Sequence, residues 1–125
     1  MNTSNNTQKN KHLHYDKNGK VILMSKELYL KLSDENRYHY VLALAKHYLK
    51  EAFNQTYDTE HIHVERQSVL DDDWYLYTVC AKRASKTGDQ EIYGVWTMNM
   101  SIGGLHNGHY DLTATEANKT IRNKH

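Results

Sequence analysis

The chain has one cysteine, no proline and four arginines, and its charges nearly cancel, at +1 over 125 residues. A single cysteine, Cys80, excludes an intrachain disulfide and fits a reducing interior. Inside an apolar run it reads as a small buried residue rather than a nucleophile. The near-neutral balance gives no overall pull toward nucleic acid or membrane, so such binding would need a local patch. No apolar stretch follows Met1, and no run approaches the roughly 18 residues that span a bilayer. The expected location is therefore the cytoplasm, with no membrane partner. Missing proline together with frequent Asn, Lys and Tyr is the usage of an AT-rich coding sequence. That usage suggests a low-GC bacterium, its phage or its mobile elements.

What is present organises around residues 60–101. Residues 60–66 (Glu-His-Ile-His-Val-Glu-Arg) alternate at period two, and residues 74–81 and 92–98 are rich in β-branched and aromatic side chains. The Asp71, Asp72, Asp73 break and the polar stretch 85–90 separate them, so the segment reads as a three-stranded antiparallel meander. Residues 1–11 have nothing to bury and are expected to form a disordered tail, with residues 12–125 as one domain. Residues 12–24 suggest a short hairpin around Asn18 and Gly19, with 21–24 as an optional fourth strand. Ser25 can cap a short helix through Leu32.

Ser33 starts the strongest helix, running to about residue 54. Its apolar stripe is Tyr38, Val41, Leu42, Ala45, Tyr48, Leu49, Ala52 and Phe53. Residues 103–109 read as a glycine-punctuated loop. Thr113 and Glu116 match a capping box for a closing helix over 114–123, with Ala117 and Ile121 as core contacts. The order (β)-α-α-β-β-β-α is an α+β fold, with the long helix and the short C-terminal helix packed on one face of the sheet. The other face would then stand open.

Three constellations bear on function. No cofactor is expected; histidines nonetheless come in pairs, and if a divalent metal such as zinc is held, His61 and His63, two apart on a strand, can both reach it. His106, His109, the Asp71–Asp73 triplet or Glu65 would supply further ligands. Second, Tyr75, Tyr77 and Tyr93 are expected on the open face with His61 and His63, opposite Trp74, Leu76, Ile92, Trp96, Met98 and Met100. Tyrosine there suits a protein interface, and base stacking is the alternative. Third, Lys82, Arg83 and Lys86, with Lys119 and Arg122, form the one patch able to serve nucleic acid. No nucleophilic triad, paired carboxylates or phosphate loop is spaced for catalysis.

The His61-Ile62-His63 form resembles the histidine–hydrophobic–histidine element of Rep- and relaxase-type single-strand DNA endonucleases. The resemblance covers those three residues. It implies a divalent metal held by His61 and His63 and an attacking tyrosine, for which Tyr40 and Tyr48 lie on the preceding helix. The order α-β-β-β-α resembles double-stranded-RNA-binding domains and the arm-type DNA-binding domains of some integrases. This chain departs from the RNA-binding family at the last helix, which starts Thr-Ala-Thr-Glu-Ala at 113–117 instead of with lysines.

The expected function is that of a small non-catalytic module binding another protein, through Tyr75, Tyr77, Tyr93, His61 and His63 together with His106 and His109. An accessory, regulatory or inhibitory protein of a mobile element or phage fits that size. Nucleic-acid binding is the alternative and a metal-dependent enzyme on His61 and His63 the third reading. An exposed edge at 92–100 or 21–24 would let a homodimer form.

Overall fold

The fold begins with local hydrogen bonding at the hairpin. In the computed structural model, which describes residues 9–125, the Asp16 carboxylate accepts from the backbone N–H groups of Asn18 and Lys20. Gly19 takes φ of 82°, which glycine enters without strain. This turn joins β1 (His14–Tyr15) to β2 (Val21–Ile22), a separate two-stranded sheet. The strand expected over 21–24 stops early, and the Met24 N–H donates to the Tyr40 hydroxyl instead. Residues 1–8 of the expected tail lie outside the described residues. Asn10, within them, donates its N–H to the Tyr15 hydroxyl at 2.9 Å.

Ser25 and Ser33 cap α1 (Lys26–Lys31) and α2 (Asp34–Phe53), accepting from the N–H groups of Leu28 and Asn36. The Arg37 guanidinium donates to the carbonyls of Tyr29 and Leu30, fastening the end of α1 to α2. The buried residues of α2 are Tyr40, Val41, Ala43, Leu44, Ala45 and Leu49. Tyr38 and Ala52, expected in the stripe, are exposed. Burial extends instead to Tyr40, Ala43 and Leu44, outside that stripe, because Leu13 and Tyr29 of the N-terminal elements join the sheet in covering α2. A helix covered on two sides loses the single-stripe pattern.

The main sheet has the antiparallel order β3 (His63–Arg66), β4 (Leu76–Ala84), β5 (Glu91–Asn99), β6 (Leu105–Leu112). The three expected strands are present, and the Asp71–Asp73 break is a single 3₁₀ turn. The segment read as a loop over 103–109 is instead mostly a fourth strand. Its pattern was hidden because β6 is an edge strand whose residues 106–111 are all exposed. Asn107 and Asp111 also adopt positive φ, and the register with β5 shifts twice, so period two is broken. Since β5 is paired on both sides, the dimer edge expected at 92–100 does not exist; among the described residues the outer strands of this sheet are β3 and β6, and β2 is an edge of the separate two-stranded sheet.

The chain is α+β, but its helices are not on one face. Val79 and Trp96 pack with α2, whereas Cys80 and Val95 pack with Ala117 of α3 (Ala114–Asn123). Neighbouring strand residues point to opposite faces, so α3 lies across the sheet from α2. The expected facing failed through strand parity. Tyr77 pairs with Met98 and Val79 with Trp96, which puts Tyr77 rather than Leu76 or Cys80 beside the large core residues. Aromatic packing finishes this side: Trp96 touches Phe53, Tyr57 and Tyr110, and its indole N–H donates to the Tyr110 hydroxyl at 3.1 Å.

Candidate functional site

The second sheet face is only partly covered, because α3 offers little to cover it with. Its capping box is complete: the Thr113 side chain accepts from the Glu116 N–H, and the Glu116 carboxylate accepts from the Thr113 N–H. These bonds hold the Glu116 carboxyl below its usual range. From that anchored start, Ala117 and Ile121 reach Cys80, Val95, Tyr93 and Leu112. Two apolar residues four apart make a narrow contact. Beside it an open groove of about 450 Å³ remains.

Cys80, Ala117 and Ile121 give the groove apolar lining, and His63, Glu65, Tyr93, Asn118 and Arg122 add polar groups. Cross-strand register explains the meeting of β3 with β4, since His63 stands directly opposite Cys80 and Glu65 opposite Thr78. The Glu65 carboxylate lies 3.1 Å from His63 Nε2 and 3.5 Å from His125 Nε2. Deeper along the same face the Gln67 amide donates to the hydroxyls of Thr78 and Thr97. The Lys124 ammonium donates to Thr97 Oγ1 at 3.1 Å, and burial lowers the pKa of that ammonium. Burial pushes the Cys80 thiol up to about 11, so it stays protonated at neutral pH and is a poor nucleophile.

The groove gathers four residues singled out in the sequence, from three elements: His63 and Glu65, Tyr93, and Arg122. The others are elsewhere. Tyr77 is on the α2 side, its hydroxyl 2.5 Å from that of Tyr29, and Tyr75 packs against the same core. The face expected to carry Tyr75, Tyr77, Tyr93, His61 and His63 together is therefore split. His61 precedes β3 and is held by Asp58 at 2.9 Å. It is not on the strand that would align it with His63. His106 contacts the Gly103 carbonyl at 3.0 Å, and it and His109 are exposed on the β6 edge.

The tyrosines that the endonuclease resemblance would require are engaged. Tyr40 is buried and accepts from Met24, and burial raises the pKa of both Tyr40 and Tyr48. Among the described residues no group of three His, Cys, Asp or Glu side chains is placed to hold a metal ion. Two of the five cations of the basic patch are paired: Lys82 with Glu91 at 2.7 Å and Arg83 with Asp111 at 2.6 Å. Lys86 and Lys119 are exposed. Among the described residues no helix is long and apolar enough to cross a membrane.

Sequence reasoning missed Cys80, Ala117, Asn118 and Ile121 as groove residues. The usable signal was that α3 has only two apolar residues on its inner face, too few to cover a sheet. Comparison with protein-family models, with curated proteins and with solved structures found no match to this chain.

Proposed function

We propose that this chain is a small, non-catalytic protein-binding module that seats a side chain or short segment of a partner protein in the groove beside α3. One observation carries the reading: an apolar lining of Cys80, Ala117 and Ile121 adjoins Tyr93, His63, Asn118 and Arg122 in one open hollow. Apolar contact supplies affinity, and the flanking hydrogen-bonding groups orient the partner. Tyrosine and arginine are the residue types that most often dominate such contacts. The protonated Cys80 thiol supports binding rather than covalent chemistry.

The nucleic-acid reading is less well supported, because Lys82 and Arg83 already have carboxylate partners. A regulatory or inhibitory role in a bacterial mobile element or phage fits the lysine-rich, proline-free usage. The test is capture of partners from a low-GC bacterial lysate treated with nuclease, run beside Asn118→Trp, which fills the groove from an exposed helix position. A protein retained by the wild type and lost by the variant is the expected result. A catch that disappears with nuclease, or that the variant keeps unchanged, would overturn the reading.

A further inference from the structure

A second hollow, of about 280 Å³, lies on the α2 side of the molecule, between the N-terminal segment and α2. Its lining includes Lys9, Lys46 and Lys50, with Glu60 the one carboxylate among them. Lys46 and Lys50 are four apart on α2, a spacing at which like charges repel and destabilise a helix. Arg37 of the same helix has Asp34 at 3.7 Å. Neither Lys46, Lys50 nor Lys9 has a carboxylate within 4 Å among the described residues. Residues 1–8 contain no Asp or Glu that could supply one.

Leu13 and Ala43 are the apolar part of the lining, and the neutral polar groups point to the same ligand chemistry. The Tyr15 hydroxyl accepts the Asn10 N–H at 2.9 Å, and its own proton has no acceptor among the described residues. The Asn10 side-chain oxygen accepts from the His12 N–H at 2.7 Å, which leaves the side-chain NH₂ to donate. Lys9 lies over the Tyr15 ring, 5.3 Å from its centroid, which keeps that ammonium at the hollow. His47, also in the lining, has Glu51 at 3.5 Å. Three ammonium groups against one carboxylate leave a surplus of two positive charges, ringed by unused donors.

We infer that this hollow binds the phosphate monoester of a small phosphorylated molecule. A phosphate monoester carries a charge of about −1.5 to −2 and three acceptor oxygens. That matches the surplus charge and the donor set, and charge-assisted bonds of this kind are the strong ones. A carboxylate has one charge and two oxygens, and leaves donors unused. The site is independent of the α3 groove and shares no residue with it.

The experiment is calorimetric titration of the full chain with inorganic pyrophosphate, and separately with a short single-stranded oligonucleotide, against chloride at equal ionic strength. Lys46→Gln and Lys50→Gln are the site variants, and Lys86→Gln, in the β4–β5 turn and outside the lining of the hollow, is the control. Saturable pyrophosphate binding, weakened about tenfold by either site variant and unchanged by the control, is expected. An oligonucleotide that binds more tightly than pyrophosphate and loses affinity in the same variants overturns the inference, because a backbone diester has one charge and two free oxygens. One that binds no better than pyrophosphate is expected. Absence of pyrophosphate binding, or binding that both site variants leave intact with unchanged melting curves, overturns the inference.

Discussion

The hydroxyls of Tyr29 and Tyr77 lie 2.5 Å apart, tying α1 to β4 across the α2 side of the sheet. Burial and this neighbour raise the Tyr77 pKa well above the usual phenol value. Tyr77→Phe removes one partner and leaves the Tyr29 hydroxyl, in a residue only 1% exposed, unsatisfied. The expected loss of stability is about 1–3 kcal/mol in urea denaturation, with partner binding unchanged. A loss of binding without a loss of stability would place Tyr77 at an interface instead.

Gly94 carries a second expectation about the core. A Cβ there would come within 2.5 Å of the Trp96 ring. Trp96 is held by Phe53, Tyr57 and Tyr110 and has nowhere to move. Gly94→Ala should therefore destabilise by about 1–3 kcal/mol, seen as a lower denaturation midpoint.

The start of α3 makes a pH-dependent contribution. Folding lowers the Glu116 carboxyl pKa, so its stabilisation is full at neutral pH and is lost as pH falls through the folded pKa, below the ordinary glutamate value of about 4.3. Glu116→Gln should be less stable than wild type at pH 7, with the gap closing in acid. Thr113→Ala removes the cap hydroxyl itself and should cost about 0.5–2 kcal/mol. A pH-independent gap for Glu116→Gln would count against the capping box.

Cys80 should be nearly silent toward thiol reagents in the folded protein. Its thiol is pushed up to about 11 and is 7% exposed, so the reactive thiolate is scarce at pH 8. Labelling with a chromogenic disulfide should be slow in buffer and rapid in denaturant. Fast native labelling would mean that the groove opens to its base.

The elements legible in the sequence were those with local causes. The serine caps at Ser25 and Ser33 and the box at Thr113 and Glu116 fix helix starts through side chains a few residues apart. Tertiary facts were not legible. Tyr77 and Trp96 share a face because of β4–β5 register, which an alternation within one strand does not specify. β6 escaped notice because Asn107 and Asp111 break its period and the edge has no buried row to reveal it. For the site, His63 and Tyr93 were singled out and do share a groove, with Arg122. Tyr75 and Tyr77 were grouped with them by the same parity error, and Asn118 carried no signal before α3 was placed.

The most direct measurement is amide chemical-shift mapping of the chain with its captured partner. Binding at the groove predicts the largest shifts at His63, Cys80 and Tyr93 and along Ala117, Asn118, Ile121 and Arg122. Shifts confined to the β6 edge from His106 to Asp111, or to the turn around Lys86, would contradict the proposed site.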